Sequence, residues 1–156
     1  MNPEVKKLVQ RYQLQPHPEG GYYREVYCSS LQVESNIVAA QRPAMTHIYF
    51  LLGRGEHSRF HRVAHDELWH FYAGAPLNLY LFNGDGVDVV TLGADTEPVA
   101  LVPGGVYQAA ESTGEYTLVG CSVAPGFDFA DFSFLADHQE DLAQLEQCAP
   151  EYLDWL

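Results

Sequence analysis

Apolar residues near the start of the chain follow the spacing of a helix, and those further on follow the spacing of strands. The i, i+3, i+4, i+7 pattern of an amphipathic helix is met by Val5, Leu8, Val9 and Tyr12. Asn2 suits the N-cap of such a helix and Pro3 its first position, while Pro16 would stop it. The pattern therefore predicts a short helix over about residues 3–12.

Beyond the first twenty residues, short runs rich in Tyr, Phe, Val and Thr alternate with Gly, Pro, Asn and Asp, which is typical of strands and turns. The predicted strands cover residues 22–28, 45–52, 57–63, 67–73, 77–82, 87–92, 99–102, 106–110 and 116–123. Asn83–Gly86, between two of these runs, is a hairpin signal, and Gly20–Gly21 is read as a turn. Many short strands without helices between them predict an all-β fold, a β-barrel or jelly roll, over about residues 20–125.

A helical pattern returns near the end of the chain. An apolar stripe among acidic residues is formed by Leu135, Leu142 and Leu145. Pro150 limits the pattern, so a C-terminal helix is predicted over about residues 135–148. A length of 156 residues suits one domain, and we expect residues 1–156 to form a single domain, a barrel with short terminal helices.

Alternation along the strands predicts which side chains share a face. Three such sets are Met45, His47, Tyr49 and Leu51, then His57, Arg59, His61 and Val63, then Glu67, Trp69 and Phe71. Several strands carry apolar residues on both faces, which is typical of strands that are covered on both sides. We expect the cover to come from the terminal helices and from a second copy of the chain, so a homodimer is predicted.

The charge and the cysteines narrow the function classes. The chain has 8 Lys and Arg against 21 Asp and Glu, a net charge of -13 with His neutral. This balance argues against nucleic acid and against anionic membranes, since both are bound through positive charge. Cys28, Cys121 and Cys148 form no CxxC pair, no apolar run is long enough to span a membrane, and no signal peptide is visible. A cytoplasmic protein with a small-molecule ligand is predicted.

Candidate chemistry is concentrated between residues 57 and 70, where four histidines lie close to acidic side chains. They are His57, His61, His65 and His70. Imidazole and carboxylate groups bind first-row metals and also carry protons near neutral pH. The alternative is that several of them are ordinary polar residues at strand ends. Inside a barrel that alternative is weaker, because buried acids and imidazoles need partners.

This region resembles the first cupin motif, through Gly55, His61, Glu67 and Gly74, with Val63 in place of the second histidine. Pro103–Gln108 resembles the second motif, with Gln108 where a histidine is usual. Four further segments look like the cupin-5 family, a domain of unknown function often labelled a predicted sugar epimerase, namely 17–25, 60–63, 66–74 and 119–127. The resemblance covers about residues 14–134 and implies a small β-barrel, usually paired into dimers.

In metal-binding cupins the ligands are three histidines and one glutamate. Carried over by position, the resemblance keeps His61 and Glu67 as ligands, whereas Val63 cannot bind a metal and Gln108 offers only an amide oxygen. A divalent first-row metal would therefore need another ligand, for which His57, His47 and His65 are the candidates.

Three functions remain open. The first is a metal-independent sugar epimerase or isomerase without a cofactor, in which His61 is the base, Glu67 orients it, and Tyr49 or, less well placed, Tyr107 is the acid. The second is a metal-dependent oxygenase or isomerase, and the third is a non-catalytic binding protein. The candidate ligand-binding residues are Arg24, His47, His57, Arg59, Trp69 and Gln108. Few Lys or Arg are available to hold a diphosphate, so the expected ligand is a free sugar or a sugar acid.

Overall fold

The computed structural model describes residues 1–156, which form two antiparallel sheets packed face to face. The helices are α1, Pro3–Tyr12, and α2, Gln139–Cys148, and 3-10 turns cover Phe129–Asp131, Leu135–Asp137 and Pro150–Trp155. The strands are β1 Gln15–Pro16, β2 Tyr22–Cys28, β3 Gln32–Ser35, β4 Ala40–Pro43, β5 Thr46–Gly53, β6 His57–Arg62, β7 Asp66–Gly74, β8 Leu77–Phe82, β9 Val87–Leu92, β10 Val99–Val102, β11 Tyr107–Ser112, β12 Tyr116–Ala124 and β13 Ser133–Phe134.

The strand order defines a jelly roll. One sheet has the order β1-β2-β5-β12-β7-β10, the second has the order β13-β6-β11-β8-β9, and β3 and β4 form a separate hairpin. The predicted all-β jelly roll with short terminal helices is confirmed. The pattern missed β1, β3, β4 and β13, because they are short and mostly polar or exposed.

Helix α1 covers the outer face of the six-stranded sheet. The Asn2 side chain accepts a hydrogen bond from the Glu4 backbone N–H at 2.8 Å, which caps the first turn. Val5 and Leu8 are buried in one apolar cluster with Leu51 of β5. The covering helix explains why strands of this sheet are apolar on both faces.

The C-terminal segment covers the outer face of the five-stranded sheet. Leu135 and Leu145 pack with Phe60 and Phe82 in a second apolar cluster. The predicted single helix over 135–148 is wrong in its first turn. His138 has an extended backbone, with φ -116° and ψ 96°, so a 3-10 turn precedes α2, which begins at Gln139.

The space between the sheets is filled at one end and open at the other. Phe50, Trp69, Leu79 and Val119 are among the buried side chains that fill the closed end. Full burial of such side chains contributes about 1.5–3 kcal/mol each to folding. This rigid end supports the strands whose other ends surround a cavity.

A β-bulge in β6 determines which of its side chains face the cavity. Ser58 pairs with Ala110 and His61 with Gln108, so two residues of β6 oppose one residue of β11. Ser58 and His61 therefore both face inward. The prediction that His57, Arg59 and His61 share one face is wrong, because the extra residue interrupts the alternation.

Neither helix has the length and apolar character required to cross a membrane. All three cysteines are free, Cys121 buried and the other two exposed. Cytoplasmic location and the homodimer stay predictions.

Candidate functional site

A cavity of about 440 Å³ opens between the sheets, which is a size that suits a small organic ligand. Strands β2, β5, β7 and β12 form one wall, and His61 and Val63 line the opposite wall. The loop before β2 and the segment after β12 complete the lining, the first through His17 and Glu19 and the second through Phe127, Asp128, Phe129 and Phe132.

The loop before β2 carries Glu19 into the cavity. The backbone N–H of Gly20 donates to the His17 carbonyl at 3.0 Å, and the Arg59 N–H donates to the Glu19 carbonyl at 2.8 Å. Gly20 has a φ of +112°, and a Cβ atom there would lie 2.0 Å from the His57 carbonyl oxygen. Only glycine lets the loop approach β6 this closely, which confirms Gly20–Gly21 as a turn.

Glu19 and His61 form a buried ion pair. The Glu19 carboxylate lies 2.9 Å from His61 Nε2 and accepts a hydrogen bond from Ser58 Oγ, also at 2.9 Å. His61 Nδ1 lies 2.6 Å from the Arg59 carbonyl oxygen, which can only accept, so Nδ1 carries a proton. Both ring nitrogens thus face oxygen partners that stabilise the imidazolium form.

The charges of this pair support each other. Burial opposes the charge of His61, but attraction to Glu19, the hydrogen bond between them and attraction to Glu67 raise its pKa above the usual value. Burial likewise opposes the charge of Glu19, yet His61 lowers its pKa below the usual value. We therefore describe the pair as carboxylate and imidazolium at neutral pH.

Glu67 is a further ionisable group of the cavity, and only 7% of this residue is exposed. Gln108 Nε2 donates to the Glu67 carboxyl at 3.1 Å, and Trp69 Nε1 donates to the side-chain oxygen Oε1 of Gln108 at 2.7 Å. Burial, with repulsion from Glu19, raises the pKa of Glu67 to about 7, although His61 opposes the rise. Glu67 can therefore gain or lose a proton near neutral pH.

His17 is a neutral hydrogen-bond donor with no acceptor in the protein. Its Nδ1 accepts from the Glu19 backbone N–H at 3.1 Å, so the ring proton lies on Nε2. Burial lowers the pKa of His17, which keeps the ring uncharged. Its side chain is 5% exposed and lines the cavity, and Nε2 makes no hydrogen bond to the chain. A ligand oxygen in the cavity can accept this bond.

Aromatic rings form the wall after β12. Phe129 lies 4.8 Å from Phe127 and 6.0 Å from Phe132, measured between ring centroids. Arg42 of β4 donates two hydrogen bonds to Asp131, at 2.9 and 2.8 Å, and both side chains are mostly buried. This bidentate pair fixes the aromatic segment against the rest of the fold.

The structure brings some of the predicted site residues together. His61 and Glu67 both line the cavity, and Gln108, outside the lining, donates a hydrogen bond to Glu67. Trp69 was predicted to contact the ligand. That placement is wrong, because Trp69 is 1% exposed in the filled end of the sandwich and its indole N–H holds Gln108.

Three predicted site residues lie on the outer face of the six-stranded sheet. The guanidinium of Arg24 lies 5.7 Å from the Tyr49 ring centroid, and that ring packs on Tyr12 of α1. His47 Nδ1 lies 2.7 Å from Ser122 Oγ on the same face. The placement of Tyr49, Arg24 and His47 beside His61 is therefore wrong. The inward face of β5 is the other one, and it presents Ile48.

Four more predicted residues lie away from the cavity. His57 stacks on Trp155 at 4.6 Å, on the outward side of β6. The Arg59 guanidinium lies 4.2 Å from the Phe134 ring centroid and donates to the Pro18 carbonyl. His65, a candidate additional ligand, is instead buried against Ser35 of β3, with 2.6 Å between Nε2 and Oγ. Tyr107 donates to Asp141 on the outer face, as its alternation with Gln108 predicts.

The residues present do not fit a metal site. No three His, Cys, Asp or Glu side chains converge in a way that could hold a metal ion. His61 Nε2 is bound to Glu19, and the Gln108 carbonyl oxygen accepts from Trp69. Val63 occupies the position of a further ligand in the motif and has no donor atom. His57, the proposed replacement, lies on the other side of the sheet.

Sequence reasoning missed Glu19, His17 and Ser58 as members of the site. The segment 17–25 stood out only through its resemblance to a family. Its loop carries no periodic pattern, and the β6 bulge that turns Ser58 inward leaves no signal in hydropathy. A histidine and a glutamate two residues apart, directly before two glycines, were the signal that the sequence offered.

Comparison with known proteins agrees with the motifs. The family model described as Cupin superfamily (DUF985) matches residues 6–135. A hypothetical protein from Leishmania major is 32% identical, with a TM-score of 0.79 over 92% of this chain and 97% of that one. Protein SO0799 from Shewanella oneidensis is 33% identical, with a TM-score of 0.79 over 94% and 90%. The uncharacterized protein YML079W of Saccharomyces cerevisiae is 28% identical over 87% of this chain and 77% of its own length.

Proposed function

The chain belongs to the DUF985 family of the cupin superfamily, and from this premise we propose that it is an epimerase- or isomerase-type enzyme acting on a small sugar-like carbonyl compound. The observation that carries the proposal is Glu67, a buried carboxyl in the cavity whose pKa is about 7. A group with a pKa near the working pH is the most effective general acid and base. The reaction is the removal of a proton from the carbon beside the carbonyl and its later return.

Glu67 takes the proton in the proposed reaction. Its carboxylate removes the proton from carbon, and the electron pair of the broken C–H bond moves toward the carbonyl oxygen. His17 Nε2–H donates a hydrogen bond to that oxygen and stabilises the negative charge that develops there. A neutral ring suits this role, because it donates a hydrogen bond without giving up its proton.

His61 holds a different role from the one its motif suggests. Its Nε2 lies 2.9 Å from Glu19 and carries a proton in the ion pair, so it has no free lone pair with which to act as the first base. In the proposal the Glu19–His61 pair is the second proton carrier: the Nε2 proton leaves Glu19 and passes to carbon, which leaves a neutral His61 ring beside the Glu19 carboxylate. Exchange with solvent then removes the proton from Glu67 and returns one to His61. The two charges of the pair also act on Glu67, since Glu19 raises its pKa and His61 lowers it.

The proposed reaction uses no metal. A proton removed beside a carbonyl needs a base and a donor to the oxygen, and Glu67 and His17 supply both. The proposed ligand is a small sugar-like molecule, since a cavity of about 440 Å³ suits a ligand of that size. The rings of Phe127, Phe129 and Phe132 offer apolar surfaces to the C–H faces of a sugar ring.

Deuterium exchange tests the proposal even while the product is unidentified. Monosaccharides and their keto isomers are incubated in D₂O, and proton NMR follows the signal of the hydrogen beside the carbonyl. We expect the wild type to exchange this hydrogen in at least one compound and Glu67→Gln to lose the activity. Asp88→Asn is the matched control, because Asp88 is an exposed carboxylate on β9. Binding of a compound without exchange would instead indicate a non-catalytic binding protein.

A further inference from the structure

The cavity carries an excess of negative charge. Four of its lining residues are acidic, namely Glu19, Glu25, Glu67 and Asp128, and none is Lys or Arg. The negative charge of Glu19 is balanced by the protonated His61, and Glu67 is only partly ionised near neutral pH. Glu25 and Asp128 lie in the exposed part of the lining, and neither has an ion-pair partner within 4.0 Å, while Arg42 attracts Asp128 from a longer distance.

The basic residues closest to the cavity wall are engaged elsewhere. Arg42 binds both carboxylate oxygens of Asp131. Arg59 packs on Phe134 and donates to the Pro18 carbonyl. His17 is held neutral by its burial and by the bond that its Nδ1 accepts. An anionic ligand would therefore meet carboxylates at the mouth of the cavity and no free cation inside it.

Aromatic rings stand beside these carboxylates. Phe127, Phe129 and Phe132 surround the Asp128 position in sequence and line the cavity with it, and Tyr23 lines it from β2. The Asp128 side chain accepts one hydrogen bond, from the Ala130 N–H at 2.8 Å, through Oδ1. Ring faces beside a carboxylate attract a positively charged group through two independent effects, the ring quadrupole and the opposite charge.

We propose that the ligand of this cavity carries a protonated amine, as an amino sugar does. The amine lies at the exposed end, against Asp128 and the ring of Phe129. The carbonyl end lies deeper, toward Glu67, which is buried, and toward the mostly buried His17 ring, whose Nε2–H has no partner in the chain. This assignment names the substrate class of the proposed function and rests on it only for the carbonyl group, because the charge argument concerns binding alone.

The carboxylates at the mouth of the cavity also act on a charged ligand before it binds. The whole chain has a net charge of -13, and carboxylates at the mouth of a cavity raise the local concentration of cations. Sugar acids and phosphorylated sugars are repelled by this field. The expected ligand is thus narrower than the sugar or sugar acid that the sequence suggested.

Titration calorimetry with matched ligands tests the charge assignment. Several hexoses are each offered in three forms, the neutral sugar, the 2-amino sugar and the uronic acid, for example glucose, glucosamine and glucuronate. We expect the tightest binding for an amino form and weaker binding of that form at high salt. An amino form that binds no more tightly than its neutral or acidic counterpart, or an absence of binding by every amino form, would overturn the proposal.

Charge-removing variants identify the groups involved. Asp128→Asn keeps the oxygen that accepts from Ala130, and Glu25→Gln keeps the side-chain size. Each is expected to weaken binding of the amino form by about 2- to 5-fold, the range of partly exposed ion pairs, and to leave the neutral form unchanged. Asp88→Asn is expected to change neither. Equal effects on both forms would count against an ammonium beside Asp128 and Glu25.

The binding experiment and the exchange experiment can each refute one proposal and leave the other standing. If the amino form binds and no hydrogen is exchanged in D₂O, the charge assignment stands and the catalytic proposal falls. If a uronic acid binds best and its hydrogen is exchanged, the catalytic proposal stands and the charge assignment falls.

Discussion

Replacement of Glu67 by Gln should change how the stability of the protein depends on pH. Gln has nearly the same shape as Glu, and its side-chain oxygen can still accept the hydrogen bond from Gln108 Nε2, which spans 3.1 Å in the wild type. The substitution removes the titratable group together with its attraction for the His61 imidazolium. Any difference in pH dependence between the two proteins then belongs to Glu67.

The sign and size of the effect follow from the raised pKa. The folded protein holds the Glu67 proton with a pKa of about 7, against 4.5 for the ordinary group. Between these values the folded state binds more protons than the unfolded state, so stability falls as pH rises. Between about pH 5 and pH 8 the wild type should lose about 2–3 kcal/mol through this group alone. The Glu19–His61 ion pair is present in both proteins, so the comparison reports on Glu67 together with its attraction to His61.

Urea unfolding of both proteins at the two pH values measures this quantity. The free energy of unfolding of the wild type minus that of Glu67→Gln should be about 2–3 kcal/mol more favourable near pH 5 than near pH 8. Asp88→Asn, compared with the wild type in the same way, should show little change. A wild-type advantage that is equal at both pH values would refute the raised pKa, and with it the reason for choosing Glu67 as the proton carrier.

Three further outcomes are expected. Glu19→Gln leaves the buried His61 proton without its counter-charge and should lower the free energy of unfolding by about 3–5 kcal/mol. Ser58→Ala, which removes one hydrogen bond to the same carboxylate, should lower it by about 1 kcal/mol. Equal losses in the two variants would contradict the ion pair. Gly20→Ala should lower the melting temperature far more than Gly55→Ala, because both have positive φ but only Gly20 faces a backbone oxygen. The wild type, purified without chelator, should contain no stoichiometric metal by mass spectrometry. The double variant with Val63→His and Gln108→His should gain a first-row metal. One metal per wild-type chain would contradict the proposed metal-free chemistry.

The strands and the N-terminal helix could be predicted because their signals are local. Val5 and Leu8 fall at helical spacing and are buried, and the runs 22–28, 77–82, 87–92 and 99–102 are strands with the predicted ends. His61 and Glu67 were also found, because a motif with fixed spacing contains them. Each of these features depends on neighbouring residues in one element.

The composition of the cavity wall was harder to predict. Both faces of β5 are apolar or aromatic, since α1 covers the outer one, and alternation alone could not tell that Tyr49 and His47 point outward. The β6 bulge reverses the alternation in the middle of the richest motif. Glu19 arrives from a loop outside that motif, so its pairing with His61 depends on a tertiary contact that no local pattern records.

A titration of the cavity side chains by carbon and nitrogen NMR tests the central claim most directly, since it needs no ligand. We expect a Glu67 carboxyl with a midpoint at about pH 7, a His61 ring that stays charged at neutral pH, and a His17 ring that is neutral with its proton on Nε2. A Glu67 midpoint near the ordinary 4.5, or a neutral His61 at pH 7, would contradict that claim.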